Sequence, residues 1–293
     1  MSPRTEPGQP GAEPGRPGGG PADGAPAGGP VGGPTGPGGA ADSAGTPWAG
    51  RAFEQNRHAA DDGSAPPALE AAIRRFRAGD AGQADVVQAF AGSRLLIPLL
   101  AELGDGGTEV GAHGHAVEKS QELSIVTVAG PDGRRVLPVF SSVAAMSRWN
   151  PVARPVPADG VRVALAAADD GTDLVVLDPG SPDDEFVLRR PAVWAVAQSH
   201  EWRPPFESEA VIAAFERSIA TELAVLGVEL VPGDPQAHLA GPELVVRLVL
   251  VEGLTRDELD ATTARLARRW ADDEAIATGV DSLAVKLVGG RAA

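Results

Sequence analysis

Two apolar runs in this chain read as β-strands, residues 93–103 (S-R-L-L-I-P-L-L-A-E-L) and 134–140 (R-R-V-L-P-V-F), and each has a proline near its middle, Pro98 and Pro138. Proline has no amide hydrogen to give to a ladder, so it is confined to edge strands, bulges and strand starts. No other feature of the sequence restricts a sheet as tightly. The two positions therefore predict edges or bulges, with the missing amide of Pro138 turned to an edge, a bulge or solvent.

The second run belongs to a longer unit. Residues 123–128 (L-S-I-V-T-V) are short, β-branched and apolar on both faces, which favours a buried strand over a helix. In the A-G-P-D-G segment after it, Pro131 presets a first turn position and Gly and Asp tolerate positive φ, so the chain reverses. After the return strand, Ser141 or Ser142 can cap a short helix that buries Val143, Met146 and Trp149. The unit is a hairpin leading straight into a helix.

Residues 1–63 are dominated by Gly, Pro and Ala, and such a segment buries too little surface to offset its conformational entropy. A disordered arm is expected there, followed by a domain over 64–199. Pro67 suits a first helical position, with Leu69, Ala72, Ile73 and Phe76 on the inner face and Gly79 as the cap. A second helix over 83–91 presents Val86, Val87 and Phe90. Residues 104–117 form a polar, glycine-rich loop with His113 and His115 near Glu118. That pair has ligand chemistry suited to zinc or nickel, but it lacks a third ligand and a rigid frame, and no metal is expected.

Residues 150–157 are punctuated by prolines and read as a surface connection. Asp159 can cap a helix to about 168 with Val161, Ala164, Leu165 and Ala168 inward. The L-V-V-L of 174–177 reads as a strand buried on both faces, ended by a proline-glycine turn, and 185–188 as a short strand after it. Pro191 then opens a helix that buries Val193, Trp194 and Val196 or Ala197.

Residues 200–206 form a linker, and 207–293 a smaller second domain. A helix is expected from 207 to about 226, striped by Val211, Phe215, Ile219 and Leu223. Strands follow near 228–231 and over 243–252. Thr255 and Glu258 make a capping box for a helix lined by Leu259, Leu266, Ala267 and Trp270, and a last strand covers 282–288. The order helix, strand, strand, helix, strand is that of a ferredoxin-like α+β layer without its first strand.

Several of these stretches resemble the SseB family, specifically the SseB N-terminal domain in its high-GC actinobacterial form. They are S-R-L-L-I-P-L-L at 93–100, E-K-S at 118–120, P-D-G-R-R-V-L-P-V-F-S-S at 131–142, R-W at 148–149, A-R-P-V-P at 153–157 and L-V-V-L-D-P-G-S at 174–181. The second domain resembles that of SseB-type proteins. The resemblance implies an α+β protein, with a mixed α/β first domain and a ferredoxin-like second one. It brings no catalytic residue with it; the family takes its name from enhanced serine sensitivity.

A net charge of -15, from 25 basic and 40 acidic residues, repels nucleic acid and anionic lipid at long range. There is no cysteine, hence no disulfide and no thiol nucleophile. No apolar run approaches the roughly 20 residues that span a bilayer, and no basic-then-apolar leader is visible, so a soluble cytoplasmic protein is expected. The glycines form neither a phosphate loop nor a dinucleotide fingerprint, and no cofactor is expected. The carboxylate pairs Asp169/Asp170, Asp183/Asp184 and Asp272/Asp273 lie at turns or helix ends, and Ser199 and His200, being adjacent, point apart.

One local feature stands out against the acidic background. Lys119, Arg134, Arg135 and Arg148 flank the central hairpin and its helix, and guanidinium forks suit carboxylate or phosphate. These four are the expected patch for a protein partner or a small anionic ligand. The leading functional expectation is a non-catalytic interaction or regulatory adaptor. The alternative is a sensor of an amino acid or other anion at the central hairpin or a domain interface, and either role is compatible with homo-oligomers.

Overall fold

The computed structural model describes residues 61–101, 123–125, 127–130 and 133–290, and within them the chain is an α+β protein. Residues 1–60 of the expected arm, the loop histidines His113 and His115, and Lys119 lie outside the described residues. Helices α1 (Pro67–Ala78) and α2 (Gln83–Ala91) bury the residues that their spacing predicts, except that Phe76 is only half-buried at the margin of the core. Gly79 closes α1 at φ 80°, its amide donating to Phe76 O.

The next strand corrects the first expectation. β1 (Arg94–Ala101) is not an edge; it is the middle strand of a sheet, antiparallel to β2 (Leu123–Ile125) on one side and β5 (Arg154–Asp159) on the other. Just beyond β4 (Arg135–Val139), Phe140 exchanges both backbone hydrogen bonds with Leu96, at 2.8 and 2.9 Å. In an antiparallel ladder the next bonding pair stands two residues along each strand. Here that pair is Pro98 and Pro138. Neither has an amide hydrogen, so pairing ends after one bridge and the strands part. Both prolines are buried and oppose each other in the resulting fork, so Pro138 faces neither an edge nor solvent.

The segment that reads as one strand fills the fork as a V. β2 runs inward along β1, from Ala101↔Leu123 to Leu99↔Ile125. β3 (Val128–Ala129) then runs outward along β4, from Val128↔Val136 to Ala129↔Arg135. The expected hairpin onto β4 is therefore only two residue pairs long. Beyond β4 lie β6 (Leu174–Leu177), parallel to it and buried throughout, and β7 (Phe186–Leu188), antiparallel to β6.

The expected connection at 150–157 contributes β5. Leu96 spends its amide and carbonyl on Phe140, away from β5, so Pro157 and Pro155, opposite Leu96 and Pro98, turn their missing amides to the open side. Prolines so placed blunt an edge against further pairing.

Helix α3 (Val143–Trp149) is capped by Ser142, whose Oγ accepts from Ala145 N at 3.1 Å. Met146 is buried and Trp149 lies 5.2 Å from Phe140, ring centre to ring centre, but Val143 is 38% exposed. Helix α4 (Gly160–Asp169) starts where a Cβ would stand 2.1 Å from Phe90 O. That close approach to α2 sets the rotation of α4, so its inner face is Val163, Ala164 and Ala167, with Leu165 and Ala168 outside it. Asp159 makes no side-chain cap hydrogen bond. Helix α5 (Arg190–Ala197) buries Ala192, Val193 and Val196; Trp194 lies on the other side, 40% exposed beneath the Arg190 guanidinium.

The second half is more regular. α6 (Glu209–Ile219) ends earlier than its apolar stripe predicts, because β8 (Val225–Pro232) is taken up by pairing, and Leu223 is left 97% exposed. β9 (Leu244–Val251) is the middle strand, antiparallel to β8 and parallel to β10 (Leu283–Gly290). Its Leu244, Val246, Leu248 and Leu250 are buried in strict alternation against α6, α7 (Arg256–Asp272) and α8 (Glu274–Gly279). The capping box at Thr255 and Glu258 forms, and the Trp270 indole donates to Ser218 Oγ at 2.8 Å. β9 and β10 pair directly, so no gap is held for a missing first strand.

Two main cores result, one built from α1, α2, α4, α5 and the sheets they cover, the other from α6 to α8 and the β8–β10 sheet. The loop 233–242 between β8 and β9 crosses to the first core, where Ala237 is buried and its carbonyl accepts from Val187 N.

Candidate functional site

Where the two halves meet, charge is buried. Arg189, immediately before α5, is 6% exposed. One arm of its guanidinium donates to Asp234 Oδ2 and Gly241 O, both at 2.7 Å, and the other to Asp281 Oδ2 at 3.3 Å and Ser282 Oγ at 3.2 Å. Arg134 makes a two-pronged pair with the same Asp281, at 2.9 and 3.1 Å. Asp234 also accepts from the amides of His238 and Leu239, which holds Ala237 and Leu239 at positive φ, 52° and 57°. Fixed partners of this kind maintain backbone that most side chains avoid.

Two guanidinium groups thus face two carboxylates, and Glu243 is a third. It is 5% exposed and accepts from Asp281 N at 2.6 Å. Burial pushes its carboxyl up to about 7, with the neighbouring Asp281 charge adding to the rise and Arg189 and Arg190 opposing it. Arg190 itself donates to Ala277 O and Val280 O at the end of α8. The cluster ties α5 to the second half at several points.

Beside it lies an open groove of about 450 Å³. Its floor is Val87 of α2, Val161 of α4 and Val196 of α5, and one wall is the segment 199–203 that leads out of α5. That wall is shaped by the end of α5: Ser199 takes φ 56°, and His200 N donates back to Ala195 O at 2.8 Å. This is the closing geometry that glycine usually supplies. Trp202 lines the groove, yet its Nε1 is buried and has no partner among the described residues. The same side chain lines a cavity of about 10 Å³ that Glu243, Asp234 and Arg189 also border. Trp202 is therefore a wall shared by the groove and the charged cluster.

Lys119 lies outside the described residues, and the three arginines of the expected patch leave the chain toward different partners. Arg135 opens β4 and Arg134 directly precedes it, and their side chains leave in opposite directions, Arg134 to Asp281 and Arg135 to Asp170 O at 2.9 Å. Arg148, exposed on α3, acts through its charge on buried Asp178, whose carboxylate accepts from Ser141 N at 2.8 Å. Sequence reasoning missed Arg189, Asp234, Glu243 and Asp281, which stand far apart along the chain. The signal was slight: Glu243 directly precedes an apolar strand, and Asp281 stands two residues before another. The groove had a clearer one, since Trp202 is an aromatic residue inside a polar linker.

A mixed-sheet α+β domain with a proline fork, joined through buried ion pairs to a three-stranded α+β layer, is the class of protein defined so far. Residues 69–195 match the family described as SseB protein N-terminal domain, and over those residues the chain carries an SseB-type domain. No curated protein and no solved structure matches the chain. Among the described residues no helix is long and apolar enough to cross a membrane, and no group of three His, Cys, Asp or Glu side chains could hold a metal ion.

Proposed function

We propose that this chain with its SseB-type domain is a non-catalytic regulatory protein that binds a small ligand in the groove between α2, α5 and the segment 199–207. One observation carries the reading. The groove has the volume of a small-molecule site, an apolar floor and a few polar groups at its rim. It also borders the segment that joins the two halves, so an occupant touches both the first core and the path to the second.

A thermal-shift screen of the full chain against metabolite-sized compounds tests this, alongside Gln88→Trp, a bulky change at an exposed groove position. A shift in the parent that the variant abolishes is the expected result. Shifts that survive the substitution, or none at all, overturn the groove as the site.

A second reading has its own observation. Val245, Val249 and Val251, on the side of β9 away from the helices, belong to neither core, and Val288, paired with Val249 on edge strand β10, shares that face. A protein partner bound there would fit the adaptor role. Co-purification lost with Val249→Glu and retained with Gln88→Trp would favour it.

A further inference from the structure

The lining of the groove has a chemistry as well as a size, and an inference from that chemistry rests on the groove being the ligand site. Its floor is apolar and well ordered by burial: Val87 is 3% exposed and Val196 2%. Trp202 presents no donor to an occupant, because its Nε1 is turned into the protein; what remains is ring carbon and π-surface. The charged lining is Asp85, Glu201 and Glu207 against one cation, Arg203. None of these four takes part in an ion pair among the described residues. Asp85 has only its local task, accepting from Gly82 N at 2.8 Å.

We propose that the groove takes a protonated primary amine carried on an apolar body, the ammonium at the Asp85–Glu201–Glu207 rim and the body against Val87, Val196 and the Trp202 ring. Three carboxylates beside one guanidinium leave a net negative rim around a low-dielectric floor, where field lines concentrate and a cation gains most. An indole face adds attraction for the same charge. The chain's net charge of -15 acts in the same direction at long range. An anion of equal shape has Arg203 alone to meet it and three carboxylates to repel it. The sign is opposite to that expected from the arginines around the central hairpin.

The test uses three compounds with one body and different heads: phenethylamine, 3-phenylpropionate and 3-phenylpropanol. Their affinities for the full chain are measured by calorimetry at pH 7 in 20 mM and 200 mM salt, with the parent and with a Glu201→Gln/Glu207→Gln variant whose melting temperature confirms folding. Expected is amine binding at least tenfold tighter than carboxylate binding. The preference should weaken at high salt and fall several-fold in the variant, while the alcohol is unaffected. Equal or tighter binding of the carboxylate overturns the inference and leaves the groove reading intact. Amine binding indifferent to the double substitution overturns it as well. Should none of the three bind, the inference falls, and the wider screen with Gln88→Trp judges the groove reading separately.

Discussion

The two halves of the molecule build their sheets in different ways. In the second, three strands of eight residues pair along their length, and β9 alternates buried and half-buried without a break. In the first, β1 and β4 share a single bridge, β3 is two residues long, and four prolines occupy strand positions. A sheet covered on one face declares its pairing through alternation, whereas strands buried on both faces do not. The first half is ordered instead by what its backbone lacks. Pro98 and Pro138 decide where pairing stops, and the chain between them fills the space they open.

The junction between the halves is the place to break this contrast. Asp281→Ala removes the carboxylate shared by Arg134 and Arg189 and leaves the buried Arg189 guanidinium with one of its two carboxylates, Asp234. A loss of about 4 kcal/mol is expected in urea denaturation. If the halves hold together through these ion pairs, the variant should also unfold in two steps. A single transition with the same midpoint would show that the cores stand without them.

Next in size is a pH effect from Glu243. Its folded-state value of about 7 lies above the 4.5 of an ordinary glutamate, so between those values the native protein holds a proton that the unfolded chain has released. Its contribution is full below about pH 4.5 and is lost as pH rises through 7, by up to about 3 kcal/mol. Glu243→Gln keeps the shape without the charge. It should exceed the parent in stability at pH 8 and match it near pH 4.5. Parallel stability curves for the two proteins would show that Glu243 does not titrate with folding.

Smaller effects sharpen the comparison within the first half. Ser199→Gly relieves a left-handed residue at the end of α5 and should raise stability by about 0.5–1 kcal/mol in thermal melts. A drop would mean that the Ser199 side chain contributes more than its backbone costs. Pro98→Val with Pro138→Val restores two donors at the fork, with a change in stability under about 1 kcal/mol. Hydrogen exchange should show the new amides protected. Fast exchange at both would mean that the V of β2 and β3, and not the missing donors, keeps the strands apart.

Much of the first half was legible piece by piece. The helices at 67–78 and 83–91, the buried strand at 174–177 and the Ser142 cap all follow from local pattern. The assembly was not, since Pro98 meets Pro138 across forty residues and no local window contains both. Leu223 misleads because an i, i+4 stripe continues past Ile219 while β-pairing claims the chain from Val225 onward. Trp194 misleads because the inner face of α5 is Ala192, Val193 and Val196, and an aromatic ring beneath an arginine is content at the surface. The arginines at 134 and 135 part for a local reason: adjacent residues in extended chain face opposite ways, and buried Asp281 claims one of them. The cluster of Arg189, Asp234, Glu243 and Asp281 was beyond sequence reasoning, because four residues separated by tens of positions have no spacing to recognise.

The fork also bears on how the chain tolerates change in length. Ala101 and Leu123 stand opposite each other in register at its open end, so whatever joins them closes the same pair of strands. The entropy of closing such a loop grows only with the logarithm of its length, about 0.6 kcal/mol for each doubling. The pairing of Ala101 with Leu123 is therefore little affected by the length of chain that separates them, a freedom that the prolines at the other end of the fork do not share.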